Sequence, residues 1–159
     1  MRRKDREVTD RQTIIEIIES CGCCRIGFQD DSEVYIVPLN FGFEDNKERL
    51  LFYFHGAKEG RKIDLIAKSP YVGFEMDSSH EVYTKSDTGT ACTYTARFQS
   101  VIGTGRVSMV DDTNEKRHGL LLLMKHTTQK CEWSFDEKML NAVAVFKLEV
   151  EKLSCKVHE

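Results

Sequence analysis

The segment FYFHGAKEGRKIDLIAKSP, residues 52–70, joins an apolar run that ends at a histidine to a helical pattern that opens with two adjacent cations. Apolar residues recur at helical spacing after the cations, and a proline closes the pattern. The first turn of a helix already presents positive backbone charge, so Arg61 and Lys62 are unfavourably placed unless an anion lies nearby. The pattern therefore indicates an anion site, the alternative being ordinary surface cations on an amphipathic helix.

Length and composition describe an ordinary globular chain. The 159 residues are 40% hydrophobic and 31% charged, which predicts one domain over residues 1–159. A net charge of −3 gives no electrostatic support for nucleic-acid binding. No apolar run approaches the roughly 18 residues of a membrane span, and the first residues lack the apolar stretch of a signal peptide. We therefore expect a cytoplasmic protein with neither nucleic acid nor membrane as partner.

The six cysteines include one cluster, CGCC at residues 21–24. Cys21 and Cys24 have C-x-x-C spacing, but no second such pair and no histidine pair completes a metal set. Cytosolic cysteines are normally reduced and often serve as small apolar residues. The cluster is interpreted as the packed start of a strand, with a metal or redox role as the alternative, and no metal site is predicted.

The first half of the chain reads as a helix followed by an antiparallel meander. Thr9 and Gln12 resemble a helix capping box, and the helix that follows is expected to end near residues 20–22. Strand-like runs separated by turn signals come next, namely CRIGFQ, EVYIVPLNFGF and RLLFYFH. Pro38 cannot donate a ladder hydrogen bond, so its strand is predicted to be an edge strand or to be interrupted there.

The second half adds two long strands and another helix. YVGFEMD is a predicted strand, residues 78–91 are expected to form a long polar loop of the kind that often carries function, and YTARFQSVIGTGRVSMV follows as the longest strand. Two glycines, Gly103 and Gly105, indicate a bulge or a close backbone approach there. A helix is predicted from Asp112 to about His126, before a final strand. About six strands with helices at their junctions favour an antiparallel barrel with helices outside.

The sequence resembles a known family along nearly its whole length. The segments that carry the resemblance are CRIGF, VYIVPLNFGF, LFYFHGAKEGRKIDLI, VGFEMD, SVIGTGRV and LLLMKH. They are similar to the FMN-binding split barrels of the pyridoxamine 5'-phosphate oxidase superfamily, especially its 5-nitroimidazole-resistance (Nim) branch. The resemblance implies a mainly β protein, a Greek-key antiparallel split barrel with peripheral helices. It also implies a homodimer that binds FMN at the subunit interface.

The resemblance further implies which residues form the site. Arg61 and Lys62 would hold the FMN phosphate, and Ser100 and Val101 would lie near the cofactor. The flavin ring would be bordered by Val37, Pro38, Leu39, Asn40, Phe54 and His55. His55 would also be the catalytic residue, because an imidazole can deliver a proton near neutral pH.

Other candidate residues receive a structural interpretation. His80, His118 and His126 have no matching partner motif, and each is expected to be structural. Trp133 and Phe135 either belong to the core or cap the flavin pocket, since aromatic faces stack well on planar ligands.

Three functions fit this sequence. The first is an FMN-dependent oxidoreductase that reduces a small acceptor such as a nitroimidazole or another nitroaromatic. The second is a flavin- or haem-binding split barrel without turnover. The third, a pyridoxamine-phosphate oxidase proper, is weaker because the additional basic residues for a substrate phosphate are not found. No G-x-G-x-x-G fingerprint is present, so the electron donor stays open.

Overall fold

The computed structural model describes residues 3–86 and 89–159, which form eight strands and four α-helices. The strands are β1 (Glu7–Val8), β2 (Cys24–Asp30), β3 (Glu33–Leu39), β4 (Gly42–Asp45), β5 (Leu50–Gly56), β6 (Tyr71–Thr84), β7 (Tyr94–Met109) and β8 (Ala144–His158). The helices are α1 (Arg11–Ser20), α2 (Arg61–Lys68), α3 (Thr113–Thr128) and α4 (Glu137–Ala142). Short 3₁₀ turns occupy Lys4–Arg6 and Ala91–Thr93.

All strand pairs are antiparallel, and they form one sheet in the order β3-β2-β6-β7-β8-β5-β4, with β1 added to β8. This topology confirms the predicted split barrel with flanking helices. In the described part of the chain the two terminal strands of this order, β3 and β4, do not pair with each other. The sheet is therefore open along one line, although the chain passes directly from β3 to β4 through residues 40 and 41.

The interior is built by the two-residue alternation of strands. Along β5, Phe52 and Phe54 enter the main core, while Tyr53 between them faces the other way. The main core also receives apolar residues of β2, β6, β7, β8, α1 and α2. A second cluster, in which Tyr53 packs with residues of α3 and α4, covers the outer side of β5 and β8. None of the helices in the described residues is long and apolar enough to cross a membrane.

The predicted close approach in β7 is confirmed. The register with β8 shifts between Thr104 and Gly105, which is a β-bulge. A Cβ placed on Gly105 would lie 2.1 Å from the carbonyl oxygen of Glu149, and one on Gly103 would lie 2.4 Å from that of Lys152. Only glycine allows the backbones of these two paired strands to approach this closely.

Two predicted boundaries need correction. Asp10, not Thr9, caps α1, because its carboxylate accepts a hydrogen bond from the Thr13 backbone N–H at 2.8 Å. The polar loop predicted for residues 78–91 is wrong over its first half, since β6 continues to Thr84. Cross-strand pairing with β7 overrides the weak local signal, and the register shift between Ser78 and Glu81 absorbs the irregularity. Residues 87 and 88 of that prediction lie outside the described residues.

The strand predicted for EVYIVPLNFGF is interrupted, as the presence of Pro38 indicated, but the break begins two residues after the proline. Strand β3 ends at Leu39, and β4 begins at Gly42. Strand β3 pairs only with β2, so the proline does lie on an edge strand. Helix α3 begins as predicted at the cap Asp112, whose carboxylate accepts from the Glu115 N–H. Helix α4 was not predicted; its short sequence carries no extended helical periodicity.

Candidate functional site

Helix α2 begins at a glycine that offers no side-chain cap. Gly60 has φ 117° and ψ 168°, a backbone conformation that other residues rarely adopt. Its carbonyl accepts from the N–H groups of Ile63 and Asp64. The N–H groups of Arg61 and Lys62, one turn earlier, are those that a helix leaves for an external acceptor. The helix start is thus suited to an anion, as the sequence predicted.

Arg61 turns toward the hairpin between β2 and β3. Its Nε donates to the Asp30 carboxylate at 2.8 Å, and a second nitrogen lies 3.5 Å from Glu33. The guanidinium also lies 4.5 Å from the centre of the Tyr35 ring, in cation–π geometry. The hydrogen bond to Asp30 raises the pKa of Arg61 above its ordinary value. Arg61 therefore already has an anionic partner within the chain.

Lys62 turns the other way, toward the end of β5. A Cβ built on Gly56 would lie 2.8 Å from both Cε and Nζ of Lys62, so the ammonium occupies the space that a side chain would fill. Among the described residues no carboxylate lies within ion-pair distance of this ammonium. The two adjacent cations thus have different roles. Arg61 is bound to the hairpin between β2 and β3, and Lys62 is available to a ligand.

The line along which the barrel is open lies beside Lys62. Strand β4 pairs with β5 only as far as Tyr53, so within the described pairings residues 54–56 have no partner on that side. No strand of the described residues pairs with the second edge of β3, and Val37 and Leu39 face the same core as Phe54. The split therefore leaves the edge of β3 and the end of β5 without a strand partner, with Lys62 at one end.

The predicted ring-bordering residues divide into three groups. Val37 and Leu39 are half-buried at the free edge, whereas Pro38 and Asn40 are exposed beside it. Phe54 is fully buried and stacks on Phe146, with ring centres 5.3 Å apart. Phe54, its backbone included, is therefore closed to a ligand in this structure.

His55 lies on the opposite face of β5 from Phe54. It pairs with Val145, a member of the outer cluster, and its side chain is exposed. Because side chains alternate along a strand, His55 and Lys62 approach Gly56 from different faces. A ligand that contacts both must therefore extend around the end of β5.

Ser100 and Val101 lie away from the split within one chain. Val101 is fully buried in the main core, and Ser100, on the outer face of β7, pairs with Asp77 and Lys156. Strand β7 is in the middle of the sheet, three positions from either terminal strand. Within one chain, Ser100 is not brought together with the residues that line the split.

A polar network on the outer face of β5 was missed by the sequence analysis. The Tyr53 hydroxyl lies 3.1 Å from Glu44 and 3.4 Å from Glu115, and Glu115 in turn pairs with Lys147. His118 lies 2.7 Å from the other Glu44 oxygen. Burial, followed by the charge of Glu44, raises the pKa of the Tyr53 phenol. The members of this network are far apart in sequence. The only sequence signal that involved them was the predicted helix α3, which carries Glu115 and His118.

The cysteine cluster is a packing element. Cys21 and Cys24 are buried, and burial raises the pKa of the Cys21 thiol to about 11 and that of Cys24 still further above its usual range. All six cysteines are free thiols. In the described residues no group of histidine, cysteine and carboxylate side chains has the arrangement of a metal site.

The two aromatic residues after α3 differ. Phe135 packs on the outer cluster beneath α3, and Arg117 donates to its carbonyl oxygen. Trp133 is 39% exposed, and its indole N–H donates to the Lys130 carbonyl. Phe135 is therefore half-buried against the outer cluster, while Trp133 is exposed at the surface.

The residues at the split fit the phosphate end of a flavin nucleotide. The ammonium of Lys62, which among the described residues has no carboxylate partner, and the first N–H groups of α2 form one set of donors beside Gly56. Such sets match phosphate oxygens in charge and in hydrogen-bonding direction.

The chain matches a sequence model of one protein family over almost its whole length. The model, described as pyridoxamine 5'-phosphate oxidase, matches residues 10–157. No curated protein matches the sequence. The solved structures do include similar proteins.

One solved structure is a candidate 5-nitroimidazole antibiotic resistance protein from Bacteroides thetaiotaomicron. It is 30% identical, with a TM-score of 0.80, over 95% of this chain and 86% of its own. The flavocytochrome Anf3 from Azotobacter vinelandii is 18% identical, with a TM-score of 0.79, over 100% of this chain and 72% of its own. An FAD and haem binding protein from Mycobacterium smegmatis is 15% identical, with a TM-score of 0.80, over 97% and 74%. The last two likenesses show the fold alone.

Proposed function

Because the chain belongs to the pyridoxamine 5'-phosphate oxidase family, we propose that it is an FMN-binding oxidoreductase that reduces a small acceptor. A nitroimidazole or another nitroaromatic is the proposed acceptor class, in keeping with the printed description of the Bacteroides protein. The six free thiols are consistent with a reducing compartment, and we propose a cytoplasmic location on that ground.

The single observation that carries this proposal is the position of Lys62. Its ammonium lies over Gly56, at the uncapped start of α2 and at one end of the split between β3 and β5. A phosphate there would receive hydrogen bonds from the ammonium and from backbone N–H groups of the first helical turn. The flavin ring would then extend along the split, bordered by residues 37–40 and by the end of β5.

The protein residues would bind, orient and protonate, while bound FMN would supply the redox chemistry. Lys62 and the helix start would fix the phosphate end. The edges of β3 and β5 would fix the ring and exclude water from one side of it. His55, exposed at the end of β5, would hold the proton that a reduced acceptor needs.

We also propose a homodimer whose sites are composite. The outer face of β3, β2, β6 and β7 is uncovered in one chain and carries exposed Val34, Ile36 and Ile102. Ser100 lies on that same outer side of β7, so it could join a flavin site only from a partner chain. A two-fold arrangement would bury the apolar face and place Ser100 near the partner's split.

FMN titration of single alanine variants tests the phosphate site. Lys62→Ala should raise the FMN dissociation constant about 10- to 100-fold, because a charge-assisted hydrogen bond is lost. Arg61→Ala should raise the FMN dissociation constant less, since the guanidinium is already hydrogen-bonded to Asp30. Lys68→Ala is the matched control on the same helix, because Lys68 is paired with Asp31. Equal FMN affinity in wild type and in the Arg61→Ala, Lys62→Ala double variant would place the phosphate elsewhere.

Turnover separates the enzyme from the second candidate function, a flavin-binding protein without catalysis. The FMN complex is reduced anaerobically with one equivalent of dithionite, and its reoxidation by a 5-nitroimidazole is followed by absorbance. His55→Gln should retain FMN but slow reoxidation by about 10²–10⁴-fold. His118→Gln, which removes an imidazole that contacts Glu44, is the control. Wild-type protein that binds FMN and is not reoxidised would support the binding protein instead.

A further inference from the structure

The turn between β3 and β4 is held by an imidazole on α3. His126 Nδ1 lies 2.9 Å from the carbonyl oxygen of Phe41, and Nε2 lies 3.3 Å from that of Glu19, at the end of α1. Carbonyl oxygens only accept, so the ring is the donor, and a neutral imidazole, which carries one N–H, donates to one of these two carbonyls at a time. One side chain thus joins three segments that are distant in sequence.

The aromatic environment fixes the orientation of this imidazole. The ring of Phe41, fully buried, lies 4.3 Å from the imidazole centre, and the ring of Phe43 meets it nearly edge-on at 5.8 Å. Two aromatic neighbours and two carbonyl contacts leave His126 little rotational freedom. The residue is therefore a rigid support and not a surface histidine that happens to lie near a carbonyl.

Gly42, at the end of the same turn, allows the backbone to pack closely against α3. A Cβ placed there would lie 2.2 Å from the Leu123 backbone nitrogen and 2.4 Å from the Leu122 carbonyl carbon. Residues 41 and 42 are thus fixed to α3 at two successive points. Residues 37–39 lie at the free edge of β3 at the split, and residue 40 joins them to this turn.

We propose that His126 is a positioning residue for the flavin ring. It would set the course of residues 37–40 through its hydrogen bond to the Phe41 carbonyl. This inference rests on the proposed flavin site. It adds a residue that does not touch the ligand and that is far in sequence from the residues proposed to border it. Its effect should fall on ring binding and not on phosphate binding, because Lys62 and α2 lie at the other end of the site.

Riboflavin, which lacks the phosphate, distinguishes the two contributions. His126→Leu keeps apolar packing against Phe41 and removes the ring N–H donor, so FMN and riboflavin should each bind about tenfold more weakly. His126→Gln retains an amide donor and should recover most of the affinity for both ligands. Lys62→Ala should weaken FMN alone. Lys125→Gln, an exposed neighbour on α3, is the control and should leave both affinities unchanged.

Three results would overturn the inference. The first is wild-type affinity of the His126→Leu variant for both ligands. The second is a loss for FMN with none for riboflavin, which would route the effect through the phosphate. The third is equal weakness of the leucine and glutamine variants, which would assign the effect to ring packing. A wild-type protein that binds neither ligand would instead refute the flavin site itself, so the two failures are distinguishable.

Discussion

The two outer faces of the barrel share one strand alternation but differ in what covers them. On the face formed by β5 and β8, Tyr53 and Val145 are buried beneath α3 and α4, which contribute Leu120 and Leu140. The face formed by β3, β2, β6 and β7 has outward side chains that no other part of the described chain covers; Val34, Ile36 and Ile102 are 69, 62 and 55% exposed. The same alternation of side chains thus produces one face that is covered by helices and one face that is exposed.

The uncovered face is also shaped differently. Gly27 pairs with Gly73, so two neighbouring positions of β2 and β6 have no side chain, between Ile36 on β3 and Thr104 on β7. A shallow depression of ≈ 400 Å³ lies over these positions, rimmed by Ile36 and Ile102. Contiguous exposed apolar surface of this kind generally marks an interaction site. The difference teaches that one face is completed by the chain's own helices, whereas the described chain leaves the other exposed, which is the basis of the proposed dimer.

The largest effect is expected on the covered side, at Gly42. Gly42→Ala would place a methyl group 2.2 Å from the Leu123 backbone nitrogen, so α3 would have to move away from β4. Overpacking against backbone should lower the free energy of unfolding by about 3 kcal/mol. Urea denaturation followed by circular dichroism measures this loss.

Gly22→Ala is the matched control for that substitution. No atom lies within 4 Å of a Cβ built at Gly22, and its φ is not in the left-handed region. The control should unfold at the wild-type urea midpoint. A Gly42→Ala protein as stable as the control would mean that α3 is not tightly seated on the turn.

The second effect is expected on the uncovered face. The double variant Ile36→Glu, Ile102→Glu places charges at the rim of the depression and should weaken the proposed dimer at least about 100-fold, because like charges would be buried across a two-fold axis. The variant chain should remain folded, since both positions are more than half exposed. Light scattering across a concentration series measures the dissociation constant.

Met139→Glu serves as the control for this double variant. Met139 is 54% exposed on α4, at the outer surface of the covered side, so a charge there should leave association unchanged. If wild type and both variants scatter as monomers at all concentrations, the uncovered face does not bind a second copy of this chain.

The sequence predicted the fold where local pattern and packing agree. Strand β5, helix α2 and the capped start of α3 each carry a periodic or capping signal in a few adjacent residues. The extension of β6 to Thr84 could not be predicted, because polar residues 78–81 form a strand only when β7 pairs with them. The short helix α4 likewise depends on a tertiary contact, the Lys116 ammonium donating to the Leu140 carbonyl.

The candidate site was predicted only in its general position. Sequence spacing located Arg61 and Lys62 at a helix start but gave no means of knowing that Asp30 would engage the arginine. The opposite directions of Phe54 and His55 follow from strand alternation and were in principle predictable. The contact between His126 and Phe41 was not, because the two residues are 85 positions apart in the sequence.

The third prediction compares a tyrosine on each face. Tyr53→Phe removes the hydroxyl between Glu44 and Glu115 and should cost about 1 kcal/mol at neutral pH. Tyr71, 48% exposed on the other face, should tolerate the same change within about 0.5 kcal/mol. Denaturation of both variants against wild type measures the difference, and equal losses would contradict it.

The cost of Tyr53→Phe should also depend on pH in one direction. Burial raises the pKa of the Tyr53 phenol in the folded state, so the unfolded chain ionises first as the solution becomes alkaline. The contribution of the hydroxyl is therefore complete below its ordinary pKa, near 10, and falls as the pH rises above it. The gap between wild type and variant should narrow above about pH 10, and a gap that widens there would contradict the assignment.

The smallest effect is expected at Gly73, the uncovered counterpart of Gly42. The nearest atom to a Cβ on Gly73 is the Gly103 carbonyl oxygen at 3.9 Å, an ordinary contact, and its φ is not in the left-handed region. Gly73→Ala should therefore raise the free energy of unfolding by about 0.5 kcal/mol, because alanine restricts the unfolded chain without straining the folded one. The measurement belongs in the Ile36→Glu, Ile102→Glu background, where association no longer contributes. A loss of stability as large as that of Gly42→Ala in this monomeric background would show that the face is covered within the chain, and the distinction between the two faces would fail.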